Sequence, residues 1–378
     1  MPATVPTDFF GEQRHFAEVK QELLVRYFEA WCDRQWAARP ADSKEPLLFI
    51  DLNAAAGKDT QTQLAILQKL LRCAGRRNGL PESLRFYFGD SARQELSRLA
   101  QEAEQLPVYG ELAEQPAFLH EAENRGLLGE MLSAGPPALF FMDPFSHGYA
   151  QETLLKACTT AQTDMFLLLD PGNLRKAVAG KKVSQAMSAL LGARLHQISA
   201  FCRKEKDKGR QEVYILQHLQ GLLREQNLYT LLFRINAPGT GNASHYLLFA
   251  SADAAAYHSF KELLLPYTAY QPDGVPLFVS SQGPQHQLAL FEHRPAHTVA
   301  KLADALADST AQYKFKPVEK IYEWHSLNTP YTLDNYLAAL GHLRDQGKVQ
   351  LLNGKTMQTV RKVSPTSVVK YIPQPQPA

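Results

Sequence analysis

Three short apolar runs that stop at aspartate constrain this chain most: residues 47–50 before Asp51, 138–142 before Asp143-Pro144-Phe145, and 165–169 before Asp170-Pro171-Gly172. A run without polar alternation fits a strand buried on both faces, and such strands belong to parallel sheets covered by helices. Residues 84–88, ending at Gly89-Asp90, read as a further strand and 107–109 as a weak one. Helix-period segments separate these runs, at 61–73, 91–106, 116–132 and 151–160. A long amphipathic helix over 12–36 precedes them, with Phe16, Val19, Leu23, Leu24, Tyr27, Phe28 and Trp31 on one stripe.

Past Asp170 the pattern is helical over 183–201 and 211–226, then two strand-like runs, 228–235 and 245–251, follow without a helix between them. Such a pair is a hairpin signal. The expected fold is therefore α/β, a Rossmann-like sheet with helices on both faces that closes with an antiparallel hairpin. That closure is typical of class I methyltransferases rather than of dinucleotide dehydrogenases. Residues 1–272 form this domain and 273–310, rich in Pro, Gly, Gln and His, a connector. Residues 311–371 show helix, short helix (332–336), helix (337–346), then 349–352 and 356–360 about Asn353-Gly354, the layout of a small winged helix-turn-helix. The Pro/Gln tail, 373–378, reads as disordered.

A formal net charge of +2 over 378 residues announces no global attraction to nucleic acid or membrane. Four dispersed cysteines form no metal or disulfide pattern. With no export signal and no apolar span of membrane length, a cytoplasmic protein without membrane contact is expected.

Several segments, in order and spacing, resemble the three-Cys-motif partner (TcmP) family: Phe9-Phe10, then Lys20, Tyr27 and Trp31; Phe49-Ile50-Asp51-Leu52; Met142-Asp143-Pro144-Phe145; Tyr246 to Ser251; and the region after Pro317. The resemblance implies a methyltransferase-type domain that uses S-adenosylmethionine, an appended winged helix, and a protein partner of the three-Cys-motif, radical-SAM-like kind. The chain departs from the family after the first strand. Where the family has Asp-x-Phe-x-Gly-x-Gly, here stands Asp51-Leu52-Asn53-Ala54-Ala55-Ala56-Gly57, with one glycine. Each lost glycine adds a Cβ where backbone would approach the cofactor.

Asp143, Pro144 and Phe145 are the candidate catalytic group, a shortened relative of the Asp/Asn-Pro-Pro-aromatic motif. In amino-methyltransferases the acid or amide accepts hydrogen bonds from an exocyclic amine and the aromatic ring stacks on the base. The competing reading is a bare strand terminator. Asp51, Asn53, Gly57, Asp90 and Glu111 are the candidate cofactor contacts, Asp90 for the ribose hydroxyls. Asp90 also suits a helix N-cap, and Glu111 a surface carboxylate.

Gly57-Lys58-Asp59-Thr60 fails as a P-loop, and no GxSxG elbow is present. His286, His293 and His297 lack metal-ligand spacing, so no metal is expected. Residues 171–210 carry ten Lys/Arg against Glu205 and Asp207. Of these, Arg175, Lys176, Lys181, Lys182, Arg203, Lys204, Lys206 and Lys208 are candidate backbone contacts for nucleic acid, or else a solvated surface. On the C-terminal unit Asn335, His342 and Arg344 are candidate base readers and Lys355, Arg361 and Lys362 phosphate contacts. Two functions stay open: a base amino-methyltransferase, and a catalytically degenerate module that binds nucleic acid or a partner protein in a phage-defence or mobile-element setting.

Overall fold

The computed structural model describes residues 16–372 apart from 41–42, 55–59, 76–78, 91, 113, 121–127, 129, 133–134, 146–152, 155, 161, 181–182, 237–242 and 281–295. The chain divides into two compact units, 1–264 and 265–378.

In the first unit α1 (Phe16–Ala38) leads into β1 (Leu47–Asp51), α2 (Thr60–Gly75), α3 (Leu80–Ser83), β2 (Leu84–Asp90) and α4 (Arg93–Ala103). β3 (Ala117–His120), β4 (Ala138–Met142) and β5 (Thr163–Leu169) follow. Next come α5 (Pro171–Ala179), α6 (Gln185–Leu191), α7 (Arg194–Lys204) and α8 (Lys208–Glu225). The hairpin β6 (Tyr229–Asn236) and β7 (Ala243–Ser251) and the helix α9 (Ala254–Leu264) close the unit. The strands lie in the order β3-β2-β1-β4-β5-β7-β6. The first five are parallel, β7 is antiparallel to β5, and β6 is antiparallel to β7. The expected α/β sheet, parallel through its centre and closed by an antiparallel hairpin, is present.

Every residue of β1, β4 and β5 is buried, as their unbroken apolar runs require. Strand alternation sorts their side chains onto two different layers. Leu48, Ile50, Phe140, Met142, Met165, Leu167, Tyr246 and Leu248 pack with Leu174 and Val178 of α5, Ile198 of α7 and Ile215, Leu216 and Leu219 of α8. The opposite face is a sheet of rings. Phe49 and Phe86 lie beside Phe28 of α1 and Phe88 beside both of them, and Phe166 and Phe249 meet Tyr27 and Phe260 at centroid distances of 4.7–5.2 Å.

One polar cluster interrupts that aromatic layer, at the amino end of β5. The Asp164 carboxylate accepts from Tyr27 Oη (2.7 Å) and Ser251 Oγ (2.6 Å) and is ion-paired with Arg34. Arg34 Nε also lies 3.3 Å from Asp253. The cluster ties α1 to β5 and to the end of β7.

The local corrections are specific. Residues 107–111 form a 3-10 turn rather than a strand, and the third strand is 117–120, within a stretch read as helix. The helix expected over 183–201 is two, parted at Gly192.

In the second unit the hairpin β8 (Thr268–Tyr270) and β9 (Pro276–Ser280) turns at Gly274, whose φ of +81° suits glycine. Helices α10 (Val299–Asp308), α11 (Thr310–Tyr313), α12 (Val318–His325) and α13 (Leu333–Asp345) precede β10 (Val349–Leu352) and β11 (Val368–Tyr371). Residues 273–310, read above as a connector, contribute Val275, Val299, Leu302 and Leu306 to this unit's core. Residues 332–346 hold one helix instead of two. β10 pairs antiparallel with β11, and the expected strand at 356–360 is reduced to a bridge between Leu352 and Thr359. A second bridge joins Pro317 to Val368. The tail, 373–378, lies outside the described residues.

Burial pushes the Asp164 carboxyl above the usual carboxylate range, while Arg34 and the Ser251 and Tyr27 hydroxyls draw it back down. A raised folded-state value means the folded state holds this proton more tightly than the unfolded chain. The group's contribution to stability is thus present at low pH and lost as pH rises through the shifted range. Arg34→Ala is therefore expected to cost about 3 kcal/mol near pH 7 and distinctly less near pH 4, as read by urea unfolding at both values.

Candidate functional site

The carboxyl edge of the parallel strands collects the polar residues that the sequence singles out. Asp51 pairs in register with Phe88 of β2 and with Phe141 of β4. Asp90 and Asp143 thus stand two residues beyond it on the flanking strands, about 7 Å further along at the usual rise per residue. The result is a trio of acids in which Asp51 is set back between the other two. It sits where the strand order reverses between β1 and β4, the place at which open α/β sheets bind ligands. Alternation puts Asp51 and Asp90 on the ring-bearing side with Phe49, Phe86 and Phe88, and Asp143 continues the parity of Leu139 and Phe141.

All three acids are buried, Asp51 and Asp90 to 3% exposure and Asp143 to 7%. Each folds its own following turn by the same device. Asp51 Oδ1 accepts from Asn53 N–H at 2.8 Å, Asp90 Oδ1 from Ala92 N–H at 2.9 Å and Asp143 Oδ1 from Phe145 N–H at 2.9 Å. These Asx turns explain why an aspartate ends each strand. At β5 the variation is a helix cap, with Asp170 Oδ1 accepting from Asn173 N–H at 2.7 Å and Pro171 opening α5. The helix after Asp90 begins at Arg93 and has Ala92 at its N-cap position. Asp90 is therefore a strand-end residue and not that helix's cap. Asn53, also buried, follows Asp51 in its turn, and Ala54 N–H donates to Gly89 carbonyl at 3.2 Å, drawing the β1 loop toward β2.

Phe145 is half-buried against the aliphatic cluster beneath α5 and α8. Gly57 lies outside the described residues. Glu111 ends the 3-10 turn at 107–111, upstream of β3, so it is not at the third strand's carboxyl end. His120 holds that position, in register with Asp90. Three buried carboxylates in a row favour ligand groups that donate hydrogen bonds or carry positive charge, such as ribose hydroxyls, amines or a sulfonium, and they oppose phosphates.

The basic residues divide on inspection. Arg175 is ion-paired with the buried Glu212 of α8, whose other oxygen accepts from Tyr246 Oη at 2.9 Å. Arg175 is thus consumed in joining α5, α8 and β7, which removes it from the candidate nucleic-acid contacts. Burial first and Glu212 second push the Tyr246 hydroxyl well above its ordinary range. The sequence reading missed this triad because Glu212 sits 37 residues from Arg175. Lys176, Arg203, Lys204, Lys206 and Lys208 are exposed, whereas Lys181 and Lys182 lie outside the described residues.

In the second unit Asn335 is buried. It closes the capping box with Thr332 and donates through Nδ2 to Gly274 carbonyl at 3.0 Å, so it cannot read a base. Arg344 is turned to Asp345 and to the backbone carbonyl of Arg361, which makes it a tie between α13 and the following loop rather than a groove contact. His342, Lys355, Arg361 and Lys362 are exposed. The exposed stripe of α13 is Asp334, Ala338, His342 and Asp345, with an acid at each end. His297 packs edge-on to Tyr331, while His286 and His293 lie outside the described residues. No described helix is long and apolar enough to cross a membrane.

No protein-family model and no curated protein matches the chain. Solved chains that match include the plantazolicin methyltransferase BpumL in complex with a pentazolic desmethylPZN analogue and SAH. It is 7% identical, covers 61% of this chain and 85% of its own, and has a TM-score of 0.28. A superposition that loose transfers no site from one chain to the other.

Arg175→Ala leaves Glu212 buried without its cation and is expected to lower stability by about 3 kcal/mol. Reversing Lys204, Lys206 and Lys208 together to Glu should change stability by less than about 1 kcal/mol, because all three are exposed. Paired denaturant titrations check both.

Proposed function

We propose that the first unit is a methyltransferase-type domain whose strand-end acids Asp51, Asp90 and Asp143 receive S-adenosylmethionine and an amine-bearing acceptor, a nucleic-acid base. The observation that carries this reading is the strand order, parallel through β5 and antiparallel at β7, with buried acids at the carboxyl ends of β1, β2 and β4. The donor chemistry fits the cofactor: Asp90 receives ribose hydroxyls, and the positive sulfonium is favoured beside carboxylates. When bound, the cofactor supplies an electrophilic methyl group. Asp143 orients the amine and offsets the charge that develops on its nitrogen, while the exposed part of Phe145 stacks on the base. Lys176, Arg203, Lys204, Lys206 and Lys208 are exposed cations available to an approaching phosphate backbone. The second unit is read as a winged helix, since three helices lead into an antiparallel pair joined by the Pro317 bridge. The TcmP resemblance extends this reading to a three-Cys-motif protein as partner.

One observation favours a second reading, a degenerate module that binds without catalysis: Ala54, Ala55 and Ala56 stand where close cofactor approach calls for glycine. Calorimetric titration of the full chain with S-adenosylmethionine separates the two. The enzyme reading expects saturable micromolar binding that Asp90→Ala abolishes; absence of binding by the intact chain leaves the module. Retention of duplex nucleic acid is expected to fall steeply between low and physiological salt, and to vanish when Lys204, Lys206 and Lys208 are reversed.

A further inference from the structure

The second unit exposes two large aromatic rings, Phe315 between two lysines in sequence and Trp324 beside one of them in space. Helix α12 buries Val318, Ile321 and Tyr322 and turns Trp324 outward, where it is 50% exposed. Phe315 is 47% exposed. Its backbone lies in the left-handed region at φ +59°, a conformation disfavoured roughly tenfold for a residue with a Cβ. The backbone is held there by Phe315 N–H donating to Val369 carbonyl at 2.7 Å and Val369 N–H donating to Lys316 carbonyl at 3.1 Å. Strain and exposure coincide at Phe315, so its ring contributes little to folding.

The lysines complete the patch. Lys314 Nζ stands 5.5 Å from the Phe315 ring centroid and Lys316 Nζ 5.5 Å from that of Trp324. Both lysines are exposed, and neither forms an ion pair with a described residue. Lys320, one turn before Trp324, is held by Glu323 at 2.6 Å. Flat rings standing half out of the surface offer stacking faces rather than a socket for a peptide anchor, and each carries an uncompensated ammonium within reach of a phosphate. Flat faces interleaved with cations are the recognition surface of single-stranded nucleic acid, in which unpaired bases stack and the backbone is neutralised. The exposed stripe of α13, by contrast, carries no ring and no lysine.

We propose that Phe315 and Trp324, with Lys314 and Lys316, form a binding site for single-stranded nucleic acid on the second unit. The site is independent of cofactor binding at the sheet edge and stands whether or not the methyltransferase reading does.

Fluorescence anisotropy of a labelled twelve-nucleotide oligothymidylate, at low and moderate salt, tests it on the full chain with Lys204, Lys206 and Lys208 reversed to Glu, so that binding through the first unit does not contribute. Saturable binding is expected. Trp324→Ala should weaken it roughly tenfold, Trp324→Phe should restore most of the loss, and the Lys314→Glu/Lys316→Glu pair should flatten the salt dependence. Phe315→Gly relieves the left-handed strain, so it should weaken binding while its melting temperature stays within a few degrees of wild type. Absence of binding, binding unchanged in Trp324→Ala, a large loss of stability in Phe315→Gly, or equal competition by an oligoglutamate peptide or by a duplex would each overturn the assignment.

Discussion

A strand buried on both faces can present polar groups only at its ends, and β1, β4 and β5 are buried along their whole length. The polar chemistry of the first unit is therefore sorted to two opposite edges of the sheet. At the carboxyl edge stand Asp51, Asp90 and Asp143, each folding the turn that follows it. At the amino edge of β5 stands Asp164, satisfied by Tyr27, Ser251 and Arg34. The two edges use the same residue type for different ends. Asp164 is held by partners from distant segments and secures α1, whereas the carboxyl-edge acids stand together at the reversal of strand order.

The central strands were legible because unbroken apolar runs have few other uses in a chain of this composition. The hairpin was legible because no helix separates β6 from β7. The edge strand β3 was not. Its four residues pair on one side only and are followed by Glu121, Ala122 and Glu123, good helix formers that extend a false helical pattern backward. The turn at 107–111 misled in the opposite sense, since Pro107 fixes a dihedral that suits a strand edge as well as the first residue of a 3-10 turn.

At the candidate site the strand-end acids could be found from sequence, because their position follows from the strands themselves. The fate of the basic residues could not. Arg175 and Lys176 are neighbours in sequence, yet one is neutralised by Glu212 on another helix and the other is exposed. Charge counts along a chain register the sign of a segment, whereas the availability of each charge depends on which helix packs beside it. Arg344 and Asn335 repeat the lesson in the second unit: both have the chemistry of readers, and both are occupied with backbone.

Asn335 joins parts of the second unit that are far apart in the chain. Its side chain closes the cap of α13 and also holds the carbonyl of Gly274 in the β8–β9 turn, 61 residues away. Asp273 in that same turn accepts from Val299 N–H at the start of α10, at 2.8 Å. A hairpin fastened at its tip to the first turns of two helices cannot fray without losing a hydrogen bond to each. The segment that looked like a connector thus belongs to the unit's own framework, and loosening its turn costs hydrogen bonds at the start of both helices.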